Sequence, residues 1–534
     1  MQNPIIFIDG IIIFLYVIAV LFIGLYFRNS DKNIKDYFLA GGKLGWFAIG
    51  ISLFATNISS EHFIGLAGGG AAKGFAIAQF ELLAIFFLII LGWFIAPIYL
   101  RSGVKTVPEF LGKRFDASSR KFYSGLSIFT YISTKILVTL FAAGIVFNRI
   151  FGWNVFTSAI IIILLTGIYT LVGGFSAVAR TQVFQGILFI VGAVVLTIFG
   201  LNEVGGINGL QQRLPTEYFQ IFKAANDPDF PWTGIIFGAP IIAFWYWCAD
   251  HYMVQRILGA KSVEHARTGT ILTAFLKILP LFILVMPGLI CVALFPEVRG
   301  DEAYPVLISS DILPNGFKGL VIAGFLAAIM SSLSAAFNSI ASLYTIDFYK
   351  EKHPDASERT LVLVGRMATI AVIFVVIMFV PFIKLVNSHI YIFLQGMQAF
   401  ISAPIAAIFF FGFILKKIDA KSAFVTLIVG EFFGLSRFVI ELMMKSGLIN
   451  NPVLKAFAGV NYLHFTVFLF LGSTLLLLTL SYLIRLGENQ NANSLNLLPV
   501  NEMQVGSSIS KIKINIVLSG IVLVLTLSLW YLFV

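Results

Sequence analysis

Fourteen apolar runs of about 20 residues, separated by short polar connections, leave this 534-residue chain few ways to fold. They lie near 4–27, 45–70, 75–100, 121–149, 154–173, 180–203, 232–256, 268–296, 317–348, 361–383, 388–415, 421–444, 456–484 and 512–533. A run of that length crosses the hydrocarbon core of a bilayer as a helix, which satisfies its own backbone where water is absent. The composition agrees, being 59% hydrophobic and 12% charged, where soluble proteins carry roughly 25% charged residues. The expectation is an all-α polytopic membrane protein. The first run, 4–27, is not a signal peptide, because it lacks a basic leader and a small-residue cleavage site. Cys248 and Cys291 are the only cysteines and both fall in apolar runs, so no disulfide framework is expected.

The net charge of +10 does not mark a nucleic-acid protein, since the basic residues are spread between the spans. Odd-numbered connections hold 23 Lys and Arg, even-numbered ones 9. By the positive-inside rule the odd loops face the cytoplasm, and both termini lie outside. The longer external loops are then 204–231 and 297–316. The polar segment 486–510 reads as a flexible cytoplasmic linker that isolates a peripheral last span. Four basic residues fall within spans. Arg366 and Arg437 are expected to snorkel to the interfaces, and Lys135 to snorkel or pair inside the bundle. Lys277, flanked by apolar residues in AFLKILPLFILVMPG, is a functional candidate by its position alone.

Two spans are interrupted by polar residues. Ser52–His62 reads SLFATNISSEH, and about 190 residues later comes WYWCADH, ending at Asp250-His251. Each unsatisfied polar group in hydrocarbon costs several kcal/mol, so such runs must face protein, water or a ligand. A pair of broken helices opening two five-helix groups is the pattern of an inverted-repeat transporter with its site at the midplane. The repeats would span 45–203 and 232–415.

Other intramembrane polar groups gather around these breaks. Glu81 needs a cation, a proton or a hydroxyl partner, or else ties two helices together as a hydrogen-bonded acid. His62 has no second ligand at metal spacing and suits a hydrogen bond or core packing. Gln395 and Gln398 could meet a substrate or bridge helices. Tyr246 and Trp247 either pack in the core or offer aromatic faces to a ring with apolar C–H surfaces. Ser331 and Ser332, one turn after Ala328, offer the hard oxygens that an alkali cation prefers. Serines in membrane helices also bond back to their own helix, so that pattern is weak by itself.

Over residues 4–484 the chain resembles the solute:sodium symporters, in particular their sodium/glucose cotransporter branch. The resemblance rests on SLFATNISSEHFIGLAG, FELLAIFFLIILGWFIAPIYLRSGVKTVPEFLGKRF, IYTLVGGFSAVARTQVFQ, WYWCADHYMVQRILGAKS and FNSIASLYTIDFYK. It implies a leucine-transporter-like fold with alternating access around a central site. It places sugar contacts on Asn57, His62, Glu81, Lys277 and Gln395, an inner aromatic gate on Tyr246, and Trp247 beside it. It places sodium on Ala55, Ile58, Ala328, Ser331 and Ser332; the main-chain ligands come from the resemblance and not from the side chains.

Two positions depart from the family pattern. Thr181-Gln182 stands where the family usually has Thr-Asp, an acid of the sodium pathway and, in two-sodium members, of a second sodium site. Ala243 replaces another sugar-facing polar residue, which would alter affinity or select a different polyol. The expected function is sodium-coupled uptake of a glucose- or galactose-type monosaccharide across the plasma membrane, with one sodium per sugar. The alternatives are the same machinery carrying inositol, sialic acid, proline or pantothenate, and, more distantly, a membrane sensor or an ion channel. No nucleophile–base pair or metal-ligand pattern suggests an enzyme. The expected layout is an additional helix and loop (1–44), the first repeat (45–203), an external loop (204–231), the second repeat (232–415), two peripheral helices (416–485), the linker (486–511) and the last helix (512–534).

Overall fold

The computed structural model describes residues 5–26, 33–381, 390–448, 450–487 and 509–533. Most of the polar linker lies outside these residues. The described chain is helical, with only isolated backbone bridges and no strand. Among the described residues, twelve helices are long and apolar enough to cross a membrane. This agrees with fourteen spans once two long runs are divided.

The first long run is Val155–Val204 (α7 below), whose 50 residues would form a rod of about 75 Å, more than twice the hydrocarbon thickness. Gly174, at φ 52 and ψ −163, breaks it into two spans. The loop expected at 174–179 is therefore a single non-helical residue. The second long run, Ser60–Ser102, is divided at Gly74, whose φ of 70 suits a residue without a side chain. Its first part completes the span begun by the short apolar helix Trp46–Asn57.

In chain order the elements that matter are α1 (Phe7–Tyr26), α2 (Trp46–Asn57), α3 (Ser60–Lys73), α4 (Gln79–Ile90), α5 (Ala117–Thr130), α6 (Leu137–Phe151) and α7 (Val155–Val204). Then follow α8 (Ala239–Phe244), α9 (His251–Leu258), α10 (Val263–Leu276) and α11 (Phe317–Leu343). Last come α12 (Glu358–Phe379), α13 (Ile390–Ile414), α14 (Ala420–Lys445), α15 (Tyr462–Gly487) and α16 (Ile509–Leu532).

The centre is the packing of α7 and α11 on α2. Lipid tails give helices no hydrophobic reason to associate, so close backbone approach through small residues does much of the work. A Cβ on Gly186 of α7 would lie 2.7 Å from the Ile51 side chain of α2, and one on Gly192 would lie 3.2 Å from the Leu320 carbonyl oxygen. A side chain at either position would crowd the partner helix, and the close approach brings Gln182 beside Ser52. The additional helix α1 caps α11: the Asp9 carboxylate accepts from the amides of Gly316 (3.1 Å) and Gly319 (2.7 Å), which have no partner within their own helix. The outer surface carries Phe14, Phe374, Leu475 and Val517, each more than half exposed, a surface suited to lipid.

Two sequence expectations change. Arg437 does not snorkel. It is buried on α14, where it pairs with Glu441 (2.9 Å), donates to Val460 O (3.1 Å) and lies over Phe400, Phe457 and Phe465. Three rings from distant segments give its guanidinium a better environment than the interface. The last span is on the outside of the bundle, but it is firmly docked. Ser519 accepts from Trp93 (3.0 Å), Asn515 bonds Thr268 (3.2 Å), Lys511 pairs with Glu264 (2.8 Å) and Trp530 stacks on Phe86.

Candidate functional site

Both polar interruptions are true helix breaks. Between α2 and α3, Ile58 (φ −77, ψ 115) and Ser59 (φ −133, ψ −171) are extended. The end of α2 therefore leaves carbonyls without helical donors. Three of them point at α11. Ser331 Oγ donates to Ala55 O (2.8 Å), and Ser332 Oγ lies 3.2 Å from Thr56 O and 3.3 Å from Ile58 O. The Tyr252 hydroxyl joins them, 3.0 Å from Thr56 O and 3.2 Å from Ser332 O. Ala328 is buried one turn before Ser332 on the same face of α11. The result is a cluster of main-chain and hydroxyl oxygens with no carboxylate in it.

Gln182 anchors this cluster. Its Oε1 accepts from Ser52 Oγ (2.5 Å), and its Nε2 donates to Ser331 O (3.1 Å). The amide thus ties α2 to α11 through α7. An aspartate there could accept from Ser52 but could not donate to Ser331.

The second break follows a π-turn at Trp245–Ala249, with Asp250 (φ −74, ψ 121) capping α9. Its freed carbonyls are taken up differently: Tyr99 OH donates to Cys248 O and Tyr123 OH to Ala249 O, both at 2.8 Å. Asp250 accepts from the Tyr131 hydroxyl and from Tyr252 N. Tyrosines meet the carbonyls of this break, while serines line the first. The oxygen cluster is built at one break only.

A cavity of about 50 Å³ lies between the two breaks and is lined by Asn57, His62, Glu81, Tyr246, Trp247, Lys277 and Gln395. All seven residues proposed from the sequence for a small polar molecule meet here. Lys277 reaches it because Pro280 interrupts the helix just beyond α10, which leaves the lysine at a helix end. Lys277 Nζ bonds Glu81 and donates to Asn57 Oδ1 (2.6 Å), and Asn57 Nδ2 donates to Tyr246 OH (3.1 Å). The Tyr391 hydroxyl lies 3.4 Å from the other Glu81 oxygen. His62 Nδ1 accepts weakly from Ser59 N (3.5 Å), which directs Nε2 to within 3.7 Å of Glu81. Asn57, Glu81, Tyr246, Lys277 and Tyr391 are thus engaged with one another, and a hydroxylated ligand would exchange these bonds for its own.

Lys135, Tyr391 and Gln398 also line the cavity. Lys135 neither snorkels nor forms an ion pair. Its ammonium sits 4.2 Å over the Tyr246 ring and 5.2 Å from the centre of the Tyr252 ring. Tyr252 and the bridging role of Gln182 had no side-chain signal of their own. Only the WYWCADHY and ARTQ stretches hinted at them. No group of three His, Cys, Asp or Glu suited to a transition metal occurs among the described residues.

A helical bundle with two broken helices, a polar cavity between them and a lipid-suited exterior defines a multi-pass membrane transporter of the leucine-transporter-like fold. The sequence profile of the Sodium:solute symporter family matches residues 37–430, and the chain belongs to that family; it is a transporter and not an enzyme. It is 36% identical over 523 residues to sodium/glucose cotransporter 1 of Mus musculus, covering 89% of this chain and 78% of that one. It is 35% identical to sodium/glucose cotransporter 2 of Rattus norvegicus, with the same coverage. To sodium/myo-inositol cotransporter 2 of Mus musculus it is also 35% identical, covering 89% and 76%. Among solved structures, the substrate-bound outward-open state of a Na+-coupled sialic acid symporter matches with TM-score 0.77 at 24% identity, over 89% of this chain and 98% of that one. That likeness is one of fold.

Proposed function

We propose that the protein couples the inward movement of sodium to uptake of a monosaccharide of the glucose or galactose type. The observation that carries this reading is the α2–α3 break. Its carbonyls at Ala55, Thr56 and Ile58 face the serines of α11, while Asn57, within the same turn, bonds Lys277 at the cavity. One unwound segment therefore serves both ligands. Sodium, as cargo, would take the carbonyls of Ala55, Ile58 and Ala328 and the hydroxyls of Ser331 and Ser332; a desolvated alkali cation suits such neutral oxygens. The serine protons that now bond the α2 carbonyls would turn away. Glu81, Asn57, His62, Lys277 and Gln395 would bind sugar hydroxyls, with Tyr246 and Trp247 against the ring.

Sodium drives transport only by favouring one state over another. Pinning α2 to α11 is the device proposed here, and it favours the state in which the sugar site is assembled. Gln182 supplies no charge for a second cation, which supports one sodium per sugar. The relatives' names support a polyol of this class, and inositol is the second reading, because Ala243 lines the cavity without a hydrogen-bonding group. The plasma membrane location, the external termini and the division into repeats at 45–203 and 232–415 belong to the same reading.

The test is uptake of labelled glucose, galactose and inositol into proteoliposomes under sodium, proton and lithium gradients. The expected result is sodium-driven accumulation of a hexose. Absence of gradient-driven accumulation of any sugar or polyol would overturn the reading.

A further inference from the structure

A second, larger cavity shares no lining residue with the site just described. A groove of about 480 Å³ runs along the membrane face between α5, α11 and α12, walled by Ile132, Tyr344, Tyr349, Val364 and Val375, with buried Ile340 as its floor. Apart from the two tyrosine hydroxyls its lining is apolar. Between residues 364 and 375 it extends about 16 Å along α12, close to half of the ~30 Å hydrocarbon core and so the depth of one leaflet. It begins near the membrane-surface end of α12, beside the segment Lys350–Lys352 that ends the preceding span.

Two π-turns form its walls. Ile132 belongs to Tyr131–Ile136, which continues α5, and Tyr344 and Tyr349 belong to Tyr344–Tyr349, which continues α11. Such turns admit an extra residue, cost helix stability and cluster where a helix serves a function. Each of these turns has a lipid side and an inner side. On the inner side, Lys135 lies over the Tyr246 ring and Tyr131 donates to Asp250. On the inner side of the other, buried Asp347 accepts from Arg120 (2.8 Å), Thr106 (2.8 Å) and Ser124 (3.1 Å). Whatever fills the groove presses on the two turns that hold these groups in place.

We infer that the groove is a binding site for one acyl chain of a zwitterionic phospholipid, seated against the π-turns that carry Lys135 and Asp347. The depth of one leaflet and the apolar lining select an acyl chain. The charges at the groove's surface end select the headgroup. Within residues 350–359, Lys350, Lys352 and Arg359 are balanced by Glu351, Asp355 and Glu358. Lys121 on α5 pairs with Glu351 at 2.8 Å, which leaves the collar one positive charge from neutral. That near-neutral collar suits a phosphocholine or phosphoethanolamine group better than an anionic one.

The experiment reconstitutes the full chain in phosphatidylcholine with a trace of phosphatidylcholine carrying a photoreactive diazirine at mid-chain, then maps the labelled peptides. Residues 340–349 and 364–375 should be labelled roughly tenfold more than the lipid-facing segments of α1 and α15, the preference that about 1.4 kcal/mol of selective binding produces. Ala371→Trp, which fills the groove, should abolish that excess and leave labelling elsewhere unchanged. Even labelling of all lipid-facing helices would overturn the inference. So would displacement of the label by unlabelled cholesterol, or by phosphatidylglycerol in preference to phosphatidylcholine. The mapping on the unmodified chain decides the matter even if the tryptophan variant fails to fold.

Discussion

Ser332 concentrates the account in one hydroxyl, lying between the carbonyls of Thr56 and Ile58 at 3.2 and 3.3 Å. If those oxygens hold sodium, Ser332→Ala removes one ligand and leaves the main chain in place. The sodium concentration for half-maximal uptake should rise roughly tenfold, equivalent to about 1.4 kcal/mol, with sugar affinity at saturating sodium unchanged. Sodium titration of initial uptake rates checks this, and an unmoved midpoint would remove Ser332 from the site. Gln182→Asp is the complementary test. The variant loses the donor to Ser331 O and places a negative charge beside the oxygen cluster. Paired isotope fluxes should move from one sodium per sugar towards two. At this scale the sequence was most legible where a polar side chain sat in an apolar run. Asn57, His62, Glu81, Lys277 and Gln395 were visible that way, and all line one cavity. Ala55 and Ile58 bring only carbonyls, so no side-chain argument reaches them. Lys135 could not be placed from sequence, because the rings that receive its ammonium lie more than a hundred residues away.

At the scale of elements, the two breaks differ in what meets their freed carbonyls, serines of α11 at the first and tyrosines at the second. Tyr99 and Tyr123 donate to the carbonyls freed at Cys248 and Ala249, and the proposed sodium ligands all lie at the first break. Elsewhere the helices rely on local devices with measurable weight. Asp9→Ala should lower stability by about 1–2 kcal/mol, because the amides of Gly316 and Gly319 at the start of α11 lose their acceptor. A lower unfolding temperature in detergent with an unchanged sodium midpoint is the expected pattern. Spans were legible because hydrocarbon imposes a length, and breaks because it penalises polar groups. Docking was not. The bond from Trp93 to Ser519 joins positions 426 apart in the chain, and nothing local in either segment announces the other. The loop expected at 174–179 is absent because the single residue Gly174 turns the chain there.

For the whole molecule, the unequal distribution of Lys and Arg predicts orientation, and cysteine labelling can read it directly. Cys248 and Cys291 are both buried, so added thiols report alone. Glu217→Cys, in the loop 204–231, should react with an impermeant maleimide from outside intact cells. Lys352→Cys should react only after permeabilisation. The reverse pattern would invert the topology.

The central claim is that one helix break serves both sodium and sugar, so that each ligand prepares the other's site. Thermodynamic linkage makes that claim quantitative: the factor by which sodium tightens sugar binding must equal the factor by which sugar tightens sodium binding. Equilibrium binding of labelled hexose to the purified protein across a sodium titration, with the converse titration alongside, measures both. The account predicts equal factors of about tenfold or more, within the usual 1–3 kcal/mol of coupling. Sugar affinity that does not change with sodium would contradict it.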